Sequence, residues 1–201
     1  TDYFVFLEKN FDSNIFLMLG TFYEKGEDVK LDYLKARRYY ILAARKFNIK
    51  AILNLGYLYI NGLGVLKDEK IAMRCFEIAA QYNDPDGLLN LGNMYKNNRN
   101  ILNNYIKAKE CYERSAKQNN SIALFELGNL YMDGQGIKKD YSKARECYEL
   151  SANLNNSDSL YELGNIFYYG LGVDQNFFKA KNYYEKAASQ NNSDALLNLG
   201  I

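Results

Sequence analysis

A single dipeptide, Leu-Gly, recurs through the whole sequence at an unvarying interval of 36 residues. It occupies positions 19–20, 55–56, 91–92, 127–128, 163–164 and 199–200. An unbroken period of this length is typical of a chain built from stacked supersecondary units, each of which buries its apolar face only against its neighbours. The period therefore constrains the fold more strongly than any other feature of the sequence.

Other positions keep the same period and predict two helices in each repeat. An aromatic residue follows four positions after the Leu, on the same helical face. A second stripe of Ala, aromatic and Ala, each four residues apart, predicts the second helix. The recurring Gly costs about 1 kcal/mol of helix propensity against Ala, so we expect it to admit a neighbouring helix at short distance. The stripe begins as Ala36, Tyr40 and Ala44 and recurs in every later repeat.

Helix caps and turn residues recur as well. An Asn or Asp, the preferred N-cap types, precedes each predicted helix. A Gly follows the first helix at 62, 134 and 170, where a C-terminal cap needs positive φ. We expect the Gly-x-Gly of this turn to serve turn chemistry alone, so Asn98 and Asn100 can replace it in the third repeat. The predicted caps are Asp32, Asp68, Asn104, Asp140 and Asn176 for the second helices, and Asn48, Asp84, Asn120, Asn156 and Asn192 for the first helices.

The composition argues against most chemical activities. The 201 residues include no His, which is the commonest general base and a usual zinc ligand. "GLGV" lacks the strand and the Lys of a nucleotide-binding loop. The net charge of +1 gives no basis for nucleic-acid binding, and no apolar run is long enough to span a membrane. We therefore predict no enzymatic activity, no metal, no cofactor and no direct membrane insertion.

The cysteines and the possible glycosylation sites give information on the cellular compartment of the protein. Cys75, Cys111 and Cys147 share one column, and equivalent stacked helices lie too far apart for disulfides between them. We expect small apolar core residues, which slightly favours the cytoplasm. Three Asn-Asn-Ser stretches at 119–121, 155–157 and 191–193 fit N-glycosylation acceptors, although helix-start chemistry explains them more simply. A location in the endoplasmic reticulum lumen or outside the cell therefore stays open.

These columns resemble Sel1-like repeats, which are relatives of tetratricopeptide repeats. The fullest match is "AILNLGYLYINGLGVLKDEKIAMRCFEIAA" at 51–80. The resemblance implies an all-α, right-handed α-solenoid of antiparallel helix pairs. Pentatricopeptide repeats, which read RNA, have a similar period but lack the Gly-x-Gly turn and the Ala-Ala ending. These two features of the sequence therefore argue against that family and against RNA binding.

We divide the sequence into a single repeat domain over 1–201. Residues 1–12 end a preceding repeat, five full repeats cover 13–48, 49–84, 85–120, 121–156 and 157–192, and residues 193–201 start a further one. Neither end shows the polar cap that a solenoid needs for solubility, so we expect part of a longer array and leave self-association open.

Two columns beside the Leu-Gly are predicted to line the concave groove of such a solenoid. Several members are Asn, whose amide offers both donors and acceptors to a peptide main chain. The tetratricopeptide resemblance implies the same use, whereas the alternative is a solvated face without a ligand. The predicted binding residues are Asn54, Tyr57, Asn90, Asn93, Glu126, Asn129, Glu162 and Asn165.

The charge of this face restricts the partner. Carboxylates outnumber bases along it, so we expect a neutral or basic protein or peptide, with contacts from exposed Tyr57, Tyr161, Tyr168 and Tyr169. The predicted function is a non-enzymatic protein-interaction scaffold or adaptor. The alternatives are a structural spacer, a regulatory subunit that uses its convex face or edges, and an adaptor of the endoplasmic reticulum lumen.

Overall fold

The computed structural model describes residues 12–27, 29–97, 102–134 and 136–200, without the side chains of 102 and 103. These residues form eleven α-helices and no strand. The helices are α1 (Ser13–Lys25), α2 (Tyr33–Arg45), α3 (Ile49–Asn61), α4 (Glu69–Gln81), α5 (Pro85–Asn97), α6 (Leu102–Ala116), α7 (Ser121–Asp133), α8 (Tyr141–Asn153), α9 (Ser157–Tyr169), α10 (Phe177–Ser189) and α11 (Ser193–Leu199).

The helices pack as successive pairs, as the period predicts. Within repeats, α1 packs on α2, α3 on α4, α7 on α8 and α9 on α10. Between repeats, the second helix of one pair packs on the first helix of the next, at α2–α3, α6–α7, α8–α9 and α10–α11. The chain divides into two compact units, residues 1–91 and 92–201, and the division falls inside α5.

Most predicted caps are confirmed. The side chains of Asp32, Asp68, Asp140 and Asn176 accept backbone N–H groups at the starts of the second helices. Asn104 is the exception, because α6 already begins at Leu102 and Asn104 lies inside it, buried. The first-helix caps Asn48, Asp84, Asn120, Asn156 and Asn192 likewise accept backbone N–H groups.

The turn between repeats contains one residue in the left-handed region. This residue has φ of 58° at Phe47, and the equivalent position in every later repeat is an Asn. Asn tolerates this conformation, whereas a bulky side chain there is strained by about 1–3 kcal/mol. Phe47 is also 76% exposed, so packing of its side chain offsets only part of the strain. The equivalent residues are Asn83, Asn119, Asn155 and Asn191, with φ of 59°, 60°, 64° and 61°.

The Leu-Gly glycine makes the close helix contact that its recurrence predicts. A Cβ on Gly128 would lie 2.5 Å from the ring of Tyr148, and a Cβ on Gly56 would lie 2.5 Å from the ring of Phe76. Both rings are almost fully buried. The Gly of the first helix thus forms a notch that the aromatic ring of the second helix fills. The same contact joins Gly20 to Tyr40, Gly92 to Tyr112 and Gly164 to Tyr184.

The second glycine of the Gly-x-Gly turn does more than turn the chain, so the expectation of turn chemistry alone is wrong for it. A Cβ on Gly136 would lie 2.3 Å from the Cβ of Tyr105, at the start of the preceding repeat's second helix. Gly64 and Gly172 meet Tyr33 and Tyr141 in the same way. This glycine therefore has to accept positive φ and a close side chain together.

The third repeat follows the same rule in its sequence. Asn98 and Asn100 lie outside the described residues. Glu69 stands where the first, third and fourth repeats have the Tyr that covers the second glycine of the repeat after it. The glycine and its tyrosine are therefore absent together, which agrees with a direct contact between them in the other repeats.

The cysteines are core residues without disulfides. All three are free thiols, with Cys111 and Cys147 buried and Cys75 half-buried. Burial raises the pKa of the Cys75 and Cys111 thiols to about 11, and that of Cys147 to about 12. Deprotonation, and with it nucleophilic reactivity, is therefore suppressed near neutral pH. Within the described ranges, no helix is long and apolar enough to cross a membrane.

Candidate functional site

All eight predicted binding residues lie on first helices and are partly exposed. In the unit of residues 1–91, Asn54 and Tyr57 lie on α3 and Asn90 on α5. The unit of residues 92–201 contains the other five, on α5, α7 and α9: Asn93, Glu126, Asn129, Glu162 and Asn165. The structure thus places each predicted residue at the surface of a helix, within reach of solvent.

Three of these Asn residues also hold their own repeat together. The Tyr148 hydroxyl donates a hydrogen bond of 2.7 Å to Asn129 Oδ1. Burial raises the pKa of Tyr148 above its ordinary value, so the hydroxyl keeps its proton and donates. Tyr112–Asn93 and Tyr184–Asn165 form the same bond, also at 2.7 Å. The Oδ1 atom of each of these Asn side chains is therefore already used inside the protein. The sequence alone did not predict these hydrogen bonds.

The second repeat replaces this pair with another. Phe76 has no hydroxyl, and Tyr57 stands where the later repeats have Asn. The two rings pack edge to face with centroids 5.6 Å apart. The Tyr57 hydroxyl instead accepts a hydrogen bond of 2.7 Å from Asn90 Nδ2. In the second to fifth repeats, Asn at this position on the first helix occurs with Tyr on the second helix, and Tyr occurs with Phe, so the sequence already carried a signal of this contact.

The two glutamates of the site differ in how their charge is balanced. Lys96 on α5 forms an ion pair and a hydrogen bond with Glu126 on α7. One repeat later, Met132 occupies the position equivalent to Lys96. Glu162 consequently has no ion-pair partner among the described residues, and accepts only a hydrogen bond of 3.2 Å from Asn165 Nδ2. α9 therefore presents a partly buried carboxylate without a cation.

The surroundings of Glu162 oppose its ionisation. Burial raises the pKa of this carboxyl above its usual range, and the negative charges of Asp133, Asp158 and Asp194 raise it further. The hydrogen bond from Asn165 acts in the opposite direction. A cation placed beside Glu162 would relieve both the desolvation and the repulsion.

The four tyrosines predicted as contact residues divide into two kinds. Tyr57 and Tyr161 are already engaged, because Asn90 donates to the Tyr57 hydroxyl and Asn198 donates to that of Tyr161 at 3.3 Å. Tyr168 and Tyr169 at the end of α9 are 43% and 65% exposed. Their rings meet edge to face at 4.9 Å. This exposed aromatic pair lies one helical turn beyond Asn165 on the same helix.

A search of the described residues for clustered metal-ligating side chains finds none. No group of three or more Asp, Glu and Cys side chains comes together in a ligating arrangement within these ranges. What the partly exposed faces of α3, α5, α7 and α9 do offer is a set of hydrogen-bond donors, carboxylates and aromatic rings. These are groups that bind other polypeptides non-covalently.

Comparison with solved structures finds close relatives of this architecture. A Sel1 repeat protein from Oxalobacter formigenes is 31% identical and superposes with a TM-score of 0.87, over 94% of this chain and 77% of that one. A protective antigen of uropathogenic Escherichia coli, described as displaying an SLR fold, is 33% identical with a TM-score of 0.84. The alignment covers 99% of this chain but 43% of the antigen, so the chain spans less than half the length of that relative.

A more distant likeness is an immunity protein from Pseudomonas aeruginosa, at 25% identity and a TM-score of 0.61, with 94% and 72% of the two chains covered. No curated protein matches the sequence. The family model for the Sel1 repeat matches residues 17–46, 49–83, 85–120, 121–156 and 157–192. Together with the paired helices described above, these matches show that the chain is an α-solenoid protein and belongs to the Sel1 repeat family.

Proposed function

We propose that this protein is a non-enzymatic scaffold that binds a neutral or basic protein segment along the exposed faces of its first helices. Sel1 repeat proteins are generally protein-interaction scaffolds, which supports the general role. The segment would contact Asn54, Tyr57 and Asn90 in the first unit, or Asn93, Glu126, Asn129, Glu162 and Asn165 in the second.

The observation that carries the choice of partner is the contrast between Glu126 and Glu162. Glu126 is neutralised by Lys96, whereas Glu162 faces only carboxylates and one amide. A Lys or Arg side chain from a partner would supply the cation that Met132 does not. Glu162 is already partly desolvated in the free protein, and solvent screens a charge there less than at an open surface, so a cation beside it would interact more strongly than at an exposed carboxylate.

A display selection with a random peptide library on the folded chain tests the proposal. We expect enrichment of peptides that contain Lys or Arg, and about three- to ten-fold weaker binding of those peptides to Glu162→Gln. Gln can still accept the Asn165 hydrogen bond, so the helix surface is kept. Glu146→Gln, an exposed position on α8, is the matched control and should bind like the wild type. Enrichment of acidic peptides would contradict the proposed charge preference.

The pH dependence gives an independent check. The cationic segment needs Glu162 ionised, and burial raises the pKa of Glu162. Affinity for a Lys- or Arg-containing peptide should therefore be full above this raised pKa and fall as the pH is lowered through it. In Glu162→Gln this fall should be absent, and a fall of equal size in the variant would assign it to another group.

The second-helix side of the chain is a second candidate surface. A cleft of about 360 Å³ lies between α8 and α10, with Leu160 and Leu163 at its floor and Glu149 and Lys186 at its rim. It supports the alternative of a regulatory subunit whose partner binds on the second helices and not on the first. Asn153→Arg at the cleft should abolish binding of a partner that uses this side, and should leave binding to the first helices unchanged.

A further inference from the structure

The hydrogen bond between Tyr and Asn fixes which end of the amide points outward. An Asn side chain has an acceptor oxygen and a donor nitrogen, and rotation by half a turn exchanges them. Tyr148 is 1% exposed, and its hydroxyl has no acceptor other than Asn129 Oδ1 among the described residues. If Asn129 turned its Nδ2 inward, the buried hydroxyl proton would lose its partner, which is costly.

Neighbouring repeats support this orientation on chemical grounds. The Glu162 carboxylate only accepts hydrogen bonds when ionised, so the Asn165 atom that faces it is Nδ2. Asn165 Oδ1 is then the atom that faces the Tyr184 hydroxyl, at 2.7 Å. In this repeat the carboxylate and the tyrosine together determine which way the Asn165 amide is turned. Asn93 and Asn129 have the same orientation, with Oδ1 towards the tyrosine hydroxyl.

The consequence differs between the repeats of this unit. In the repeat of Asn165 the outward nitrogen is already used by Glu162. Asn93 and Asn129 have no described partner for Nδ2, and both are partly exposed. Their surface groups are therefore free N–H donors, and their acceptors are withdrawn into the protein.

We infer that Tyr112 and Tyr148 are positioning residues, which aim the Nδ2 groups of Asn93 and Asn129 at main-chain carbonyl oxygens of a bound extended segment. This inference rests on the proposed function and narrows it. An extended segment presents carbonyls at regular intervals regardless of its sequence, so fixed donors one repeat apart hold its backbone. Glu162 then selects for a cationic side chain further along the same unit.

Two measurements test the inference. Neutron diffraction from crystals of the deuterium-exchanged full chain distinguishes the ND₂ group from the oxygen of each amide. We expect Oδ1 of Asn93 and Asn129 to face the tyrosine hydroxyls. The reverse orientation would overturn the inference, whether or not any peptide binds.

The second measurement uses a fluorescein-labelled peptide taken from the display selection on the wild type. Tyr148→Phe removes only the hydroxyl, and the natural Phe76 shows that the fold accepts Phe in this notch. We expect about five-fold weaker binding to Tyr148→Phe, because the amide is no longer held with its donor outward. Tyr184→Phe is the matched control and should stay within about two-fold of the wild type, because Glu162 still orients Asn165.

The outcomes distinguish the positioning role of Tyr148 from the proposed scaffold function. Equal binding by wild type and Tyr148→Phe would overturn the positioning role and leave the scaffold proposal intact. Equal losses in Tyr148→Phe and Tyr184→Phe would also overturn it, since they would indicate a general loss of structure. If the selection enriches no peptide, the proposed function fails and the carbonyl partner fails with it, while the neutron result still decides the orientation.

Discussion

The second and fourth repeats solve the same packing problem with different chemistry. In both, an aromatic ring of the second helix fills the notch of a Leu-Gly glycine at the same distance. In the fourth repeat the ring is Tyr148, and its hydroxyl bonds to Asn129. In the second repeat the ring is Phe76, and Tyr57 packs against it edge to face. The ring in the notch is therefore required by the fold, and the polar bond is an addition to it.

Removal of the ring should lower the stability more than any other change that tests this comparison. Phe76→Ala and Tyr148→Ala should each destabilise the protein by about 3–5 kcal/mol, because each empties a fully enclosed notch. Denaturant unfolding of the two variants measures the losses. The comparison predicts similar values, and a much larger loss for Tyr148→Ala would mean that the hydroxyl, and not the ring, carries most of the stability.

Substitution of the glycine on the other side of the notch should lower the stability less. Gly56→Ala and Gly128→Ala place a methyl group about 2.5 Å from ring carbons. We expect overpacking to exceed the gain in helix propensity of about 1 kcal/mol, with a net loss of about 1–2 kcal/mol in each repeat. Thermal unfolding against Ser142→Ala, an exposed helical control, would check this. A net stabilisation in either variant would show that the ring can move aside.

Exchange of the pair tests whether its two members depend on each other. Tyr57→Asn and Phe76→Tyr together install the chemistry of the later repeats in the second one. Each single change leaves a polar group without its partner, so the double variant should be more stable than the sum of the singles by about 1 kcal/mol. A double-mutant cycle measures this coupling energy. A coupling of zero would mean that the two columns vary independently.

The smallest expected effect concerns the turn where the first full repeat departs from the others. Phe47→Asn places at this left-handed position the residue that the later repeats carry. We expect a gain of about 0.5–1 kcal/mol, because Asn tolerates the conformation and the exposed Phe side chain packs on little. Denaturant unfolding measures the gain, and Asn83→Phe should cost about as much. If Phe47→Asn destabilises the chain, the ring has a contact that its exposure does not reveal.

Much of this fold could be predicted from the sequence because its causes are local. Caps, turn glycines and helical stripes depend on residues within a few positions of one another, and the 36-residue period repeats the caps and stripes five times and the Gly-x-Gly turn three times. Asn104 was predicted wrongly because α6 starts earlier than the period indicates, at Leu102.

The site was less predictable because its chemistry depends on contacts between helices. The eight positions were found as two columns, but the sequence could not tell which amide atoms were already used. That required knowing that Asn129 and Tyr148, 19 residues apart, meet across a helix pair. The uncompensated charge of Glu162 likewise follows from Met132, on the first helix of the preceding repeat.

The short sequence separation of these contacts has a consequence for folding. The most widely separated hydrogen bond given above joins Asn198 to Tyr161, which are 37 residues apart. Chains dominated by such local contacts have low contact order and fold fast. Stability in such an array is close to a sum over repeats and their nearest-neighbour interfaces, so helix pairs can open separately. Hydrogen exchange should therefore report several opening free energies along the chain, and a segment bound across several repeats would make them more nearly equal.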